Sequence, residues 1–207
     1  MKIIDISRTI SEEMVVYKNK DEKRIKRNIV MNYERGDYYE SRLDLDMHCG
    51  THIDAPLHMI ENGNTIENMD LYKLVGQCKV FDLTSVENYI TKEHIKDLDI
   101  KPEDIIIFKT KNSYDTEYNP KFIYVEEDAA KYLADIGIKT LGIDAMSVER
   151  DKKSHSSHKI ILEKNIVIIE DLALKEVEEG EYFLSCLPLK IKGSEASPVR
   201  AILVRTC

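Results

Sequence analysis

The stretch MHCGTHIDAPLHMIENG, residues 47–63, places His48, His52 and His58 within eleven residues and sets Asp54 among them. Imidazoles and carboxylates are the ligands that divalent first-row cations take, and a cation held by several of them makes water nucleophilic. The spacing of His48 and His52 suits one helical face, but Gly50 weakens a helix and Pro56 opposes it. The reading is a strand ending at His48, then a sharp turn at Gly50 that points His52 and Asp54 back toward it. Pro56 stiffens the exit before His58, and Thr51 is placed to hydrogen-bond the turn. A polar loop with clustered histidines is the plainer alternative. The H-x-x-x-H-x-D-x-x-x-H spacing favours a metal site without naming a reaction.

Two further stretches carry candidates. Glu170 ends the apolar run IVII, where a buried carboxylate needs a cation or hydrogen bonds to compensate it, unless the strand end reaches solvent. His155 and His158 lie one helical turn apart in HSSHKIILEKN, and spacing does not choose between them. His94, among the charges of TKEHIKDL, reads as a surface helix residue. Cys49 stands between two candidate ligands, but strand alternation turns its side chain away from that of His48.

The elements that must position these residues are mostly strands. KIIDIS (2–7) opens the chain as one, and residues 23–33 and 38–49 flank a turn at Gly36-Asp37 as an antiparallel pair. In SRLDLDMH, Leu43, Leu45 and Met47 face one side while Arg42, Asp44, Asp46 and His48 face the other. TIENMDLYKLVG (65–76) has helical spacing and a terminal glycine. KVFDL (79–83), DIIIFKT (104–110), KTLGID (139–144), IVIIED (166–171), EYFLSCLPL and VRAILVR read as strands, and residues 91–98, 126–137 and 155–165 as helices. No linker or repeat divides the chain, so one strand-rich α/β domain over 1–207 is expected.

Composition narrows the partners. The 207 residues carry a formal net charge of −8, which disfavours nucleic acid and anionic membrane. The basic run KNKDEKRIKR (18–27) alternates with acids and reads as a solvated strand or loop. Cys49, Cys78, Cys186 and Cys207 form no C-x-x-C pair, and Asp5 and Arg8 break any signal-peptide core, so a cytoplasmic protein is expected.

HCGTHIDAPLH resembles the signature H-x-G-T-H-x-D-x-P-x-H of the cyclase-like metal hydrolases, the family of bacterial kynurenine formamidases and isatin hydrolases. IIDISRTISEEMVVY is similar to the family's opening strand and the turn bearing a substrate-contacting aromatic residue. GIDAMSVERDKKSHSSHKIILEKNIVIIEDL resembles the segment with the remaining ligands, and LPLKIKGSEASPVRAILVR the closing hairpin, so the likeness spans nearly the whole chain. It implies a swivelling β/β/α-type fold and a homodimer or homotetramer. It also implies metal ligation by His48, His52, Asp54, His158 and Glu170, with Asp54 able to bridge two ions, proton transfer by His58, and substrate contact by Tyr17.

Three imidazoles and two carboxylates without a thiolate suit Zn²⁺, with Mn²⁺ or Fe²⁺ as alternatives, as one or two ions. The expected reaction is hydrolysis of a carbon–nitrogen bond in a small amide by metal-activated water, as in an arylformamidase, with a cyclic amide such as isatin as the alternative substrate. Tyr17 stands where kynurenine formamidases carry Trp in a W-P-G stretch, and GSEASPVR departs from the acidic-glycine pair of many relatives. Both departures bear on substrate rather than on ligands. Two competing readings are a phosphoesterase, opposed by the want of a phosphate loop or of a basic cluster beside the motif, and a non-catalytic metal-dependent binding protein.

Overall fold

The structure, a computed structural model, describes residues 1–150 and 153–205. Cys207 and two residues of the GIDAMSVERDKK stretch lie outside the described residues. The strands are β1 (Lys2–Asp5), β2 (Lys26–Met31), β3 (Glu40–Asp44), β4 (His52–Asp54), β5 (Val75–Asp82), β6 (Tyr89–Ile90), β7 (Ile105–Lys109), β8 (Tyr124–Val125), β9 (Thr140–Ile143), β10 (Val167–Glu170), β11 (Gly180–Pro188) and β12 (Ala196–Arg205). The helices are α1 (Lys92–Ile95), α2 (Glu127–Ile136) and α3 (Ser156–Glu163).

Eight strands form one sheet in the order β1-β12-β11-β5-β7-β9-β10-β4. Because β4 also pairs with the first residues of β12, the sheet closes into a barrel. Strands β5, β7, β9 and β10 run parallel, and the apolar runs of β7, β9 and β10 follow from burial on both faces. Within a strand, side chains alternate between the faces. In β7, Ile105 and Ile107 fill the barrel interior with Ile53, Val167, Ile169 and Leu203. Ile106 and Phe108 face outward and pack with Ala129, Leu133, Ile161 and Leu162 of the helices. The sheet therefore separates two apolar cores, and α2 and α3 cover its outer face.

Helix boundaries follow local chemistry. Gly137 closes α2 in the left-handed conformation with φ +81. Thr91 and His94 form a reciprocal capping pair at α1, which leaves His94 on the surface as expected.

Two expectations need correction. Residues 65–76 form no helix. Ile66–Asn68 and Leu71–Lys73 are separate 3₁₀ turns, divided where the Asp70 carboxylate accepts the Tyr72 N–H at 3.0 Å. Ile66 and Leu74 still reach the barrel core, so the apolar spacing is real, but Gly76 lies inside β5 and stops nothing. The strand before the motif also ends early, at Asp44 rather than at His48. The Asp46 carboxylate accepts the His48 N–H at 2.8 Å, and the Cys49 N–H donates to the Asp46 carbonyl, so His48 sits on a turn.

Candidate metal centre

Strand register assembles the heart of the site. In the antiparallel β4–β10 pair, Glu170 is opposite His52, Ile169 opposite Ile53, and Ile168 opposite Asp54. Residues directly opposite share a face, so Ile53 and Ile169 enter the barrel while His52, Asp54 and Glu170 project together from its outer side. Helix α3 lies over that side, and its buried stripe of His158, Ile161 and Leu162 brings His158 to the same point. His155 is the exposed residue preceding the helix, in the left-handed conformation with φ +49, and among the described residues it clusters with Glu149 and His158.

The turn at Gly50, φ +58, folds the backbone as the sequence implied. It is tied down by Thr51, whose hydroxyl donates to the Asp171 carbonyl at 2.6 Å and accepts the Arg8 N–H at 2.9 Å. Pro56–His58 is a 3₁₀ turn that presents His58 to His48, with ring centroids 4.2 Å apart.

The five expected ligands and His58 thus converge. His48 Nδ1 lies 3.0 Å from Asp54 Oδ1, and His52 Nε2 lies 3.6 Å from the same oxygen and 3.3 Å from Glu170 Oε2. His158 Nε2 lies 3.2 Å from Glu170 Oε1 and 3.8 Å from Asp54 Oδ2. His52 Nδ1 sits 2.8 Å from the Gly50 carbonyl, which can only accept, so Nδ1 carries a proton and Nε2 faces the carboxylates.

Both oxygens of Asp54 and Nε2 of His52 are buried without a hydrogen-bonding partner. Each such atom costs about 1–3 kcal/mol when nothing compensates it. A divalent cation among them would satisfy all three at once, so the residues fit a metal. Cys49 belongs to none of the ligand clusters among the described residues, and burial beside Asp46 pushes its thiol up to about 11.

The ionisable groups of the site shift one another. Burial and Glu170 push the Asp54 carboxyl upward, but His48, His52 and His58 outweigh them and hold it below its usual value. Burial likewise opposes ionisation of Glu170, yet His158 and His52 hold it well below the carboxylate range. Burial alone would lower both of those histidines. Close contact with Glu170 and the charge of Asp54 carry His52 up to about 9, and close contacts with Glu149 and Glu170 carry His158 up to about 10. His58 differs: burial, aided by His48 and His158 against the pull of Asp54, leaves it below its usual value and therefore neutral at pH 7.

In front of these residues opens a cavity of about 420 Å³, lined among others by Tyr17, His58, Met146 and Glu170. Tyr17 stands at this cavity, edge-on to Tyr118 and Phe122 at 6.0 and 6.5 Å. Lys18, Lys20 and Lys23 of the basic run line it too. The run was read as a solvated segment, and no basic cluster was expected beside the motif. The run is mostly exposed, in keeping with the first reading; the second is corrected, because the turns over 17–23 bring its lysines to the cavity.

Sequence reasoning also passed over Glu149. It is buried, with Oε2 3.3 Å from His158 Nδ1, and no periodicity in SVERD marks it.

A family model described as "Putative cyclase" matches residues 4–150. The kynurenine formamidase of Salinibacter ruber is 35% identical over 206 residues, covering 98% of this chain and 97% of that protein. A solved structure, the "predicted metal-dependent hydrolase from Bacillus stearothermophilus", superposes with a TM-score of 0.90 at 50% identity, over 98% of this chain and 97% of that one. Isatin hydrolase A from Ralstonia solanacearum shares the fold, with a TM-score of 0.84 at 19% identity over 99% of this chain and 92% of that one. A motif, a fold and a full-length relative that agree in this way leave one assignment: the chain belongs to the cyclase family.

Proposed function

We propose that this chain is a metal-dependent amidohydrolase that cleaves the carbon–nitrogen bond of a small amide in the manner of an arylformamidase. One observation carries the reading. Buried ligand atoms with no partner, on Asp54 and His52, lie within 3.8 Å of His48, His158 and Glu170, which line an open cavity together with His58.

His48, His52, Asp54, His158 and Glu170 would hold one or two ions, Zn²⁺ with Mn²⁺ as the alternative. A divalent cation, when bound, supplies an activated water and an electrophilic centre for the amide carbonyl. The protein supplies the rest. Neutral His58 accepts the proton of the attacking water and returns it to the departing nitrogen. Tyr17 offers an aromatic face against which a flat substrate stacks. The ring orientations of His52 and His158 are fixed before substrate arrives, by acceptors behind each.

The likeness to the Salinibacter ruber kynurenine formamidase supports an aryl formamide such as N-formylkynurenine over a cyclic amide such as isatin, whose hydrolase shares only the fold. The lysines at the cavity favour a second reading, hydrolysis of a phosphate ester. The reading extends to a cytoplasmic homodimer or homotetramer.

The test is metal analysis of the purified protein with hydrolysis assays on N-formylkynurenine, isatin and an aryl phosphate. Bound Zn²⁺ or Mn²⁺ with turnover of the formamide is the expected result. Turnover of the phosphate alone would replace the reading. A metal-loaded protein that hydrolysed none of a broad amide, lactam and ester panel would leave a binding protein.

A further inference from the structure

Glu149 lies behind His158 and is 3% exposed. Its Oε2 is 3.3 Å from Nδ1, the ring nitrogen turned away from the carboxylates, while Nε2 faces Glu170 and Asp54. Its other oxygen accepts from the Ser156 hydroxyl at 3.5 Å, at the first residue of α3. The adjacent backbone reaches the facing carboxylate: the Val148 N–H donates to Glu170 Oε1 at 2.5 Å. Two consecutive residues between β9 and α3 therefore grip a histidine from one element and a glutamate from another.

The other imidazoles are backed differently. His52 donates to the neutral Gly50 carbonyl, and His48 Nε2 lies 3.6 Å from Glu195, whose side chain is 40% exposed. A buried carboxylate behind a ring nitrogen selects one tautomer, fixes the ring plane and makes the opposite nitrogen a better donor.

We propose that Glu149 is a positioning residue of the metal centre, holding the Nε2 lone pair of His158 toward Asp54 and Glu170 while the Val148 N–H orients Glu170. This rests on the metal-centre reading above. A competing arrangement exists, because Glu149, His155 and His158 could themselves bracket a cation, with ligand atoms within 4.8 Å of one another. Against it, His155 is exposed, and a cation there would leave the buried atoms of Asp54 and His52 without partners.

The experiment titrates the wild-type chain, Glu149→Gln, Glu149→Ala and His155→Ala with Co²⁺, reading the visible absorption of the bound ion, and with Zn²⁺ against a competing chelator. The expected result is an affinity about 10- to 100-fold weaker in Glu149→Ala, with a shifted Co²⁺ spectrum. A smaller loss is expected in the isosteric Glu149→Gln and wild-type binding in His155→Ala. Should the alanine variant fail to fold, the glutamine variant carries the test, since a packing role alone would leave its spectrum unchanged. Wild-type affinity and spectrum in both Glu149 variants would overturn the inference. Equal losses in His155→Ala and Glu149→Ala would also overturn it, making both residues ligands. A wild-type chain that took up neither Co²⁺ nor Zn²⁺ would remove the metal centre, and the positioning role with it.

Discussion

His58 and His158 stand 5.6 Å apart by ring centroid, yet their surroundings give them opposite protonation states. His158 meets two carboxylates, whereas His58 is lowered by burial and by two other imidazoles. His58→Ala should therefore reduce turnover by about 10²- to 10⁴-fold. Metal content by elemental analysis should stay close to wild type, and an equal loss of metal would make His58 a ligand. A second consequence concerns pH. With His52 near 9 and His158 near 10, the metal-free protein holds a proton on each at pH 7. Metal uptake must displace both, so calorimetry in buffers of different ionisation enthalpy should report proton release, and affinity should rise with pH up to that range. The sign for stability is the reverse. Both values are raised above the ordinary 6.5, so their stabilising effect is complete below pH 6.5 and is lost as pH climbs through 9 to 10. The Tm of chelator-treated protein should fall over that window.

At the scale of elements, the site depends on turns that tolerate few side chains. Gly50 has φ +58, and a Cβ there would meet Met14 Cε at 3.1 Å. Gly50→Ala should cost about 1–2 kcal/mol of left-handed strain and displace His48 from His52. Denaturant unfolding and metal titration together would read both effects, and an unaffected metal affinity would uncouple the turn from the site. Gly63 is more constrained, since a Cβ would lie 2.6 Å from the backbone of Pro56, which cannot yield. Gly63→Ala should therefore disturb the turn carrying His58. Much of this was legible in the sequence: Gly50 and Pro56 shape the loop, and α3 starts at the residue after His155. The end of β3 was not, because a side-chain bond from Asp46 competes with the ladder where alternation still persists. The 3₁₀ turns over 66–73 escaped for the same reason, a local bond from Asp70 outweighing a helical pattern.

For the whole molecule, the closed sheet places the chemistry on one side of a wall whose other side is the barrel core. Ile169 is fully buried in that core, one residue before Glu170 and opposite Ile53. Ile169→Ala should cost about 2–5 kcal/mol through the cavity it leaves. Because β10 carries Glu170, a proposed ligand, part of the loss should persist when unfolding is measured with metal bound; complete recovery would show that the metal alone holds the strand. The β2–β3 hairpin stands outside both cores and exposes Ile29, Val30, Tyr33, Tyr38, Tyr39 and Leu43. A two-stranded ribbon is marginal by itself, which agrees with the proposed self-association. Among the described residues no helix is long and apolar enough to cross a membrane.

By itself, the sequence determined which residue types gather near Gly50, that several short apolar runs are buried strands, and that a helix over 155–165 bears a histidine able to reach the site. These are local matters, governed by backbone conformation and by periods of two and 3.6 residues. What only the tertiary structure decided depends on contacts between distant segments. Antiparallel register puts Glu170 beside His52, burial selects His158 over His155, and the 17–23 turns bring lysines to the cavity. Glu149 becomes a partner of His158 in the same way, because its position matters only once α3 is docked on the sheet. Register and docking are set by how two cores fill, and no single segment holds that information.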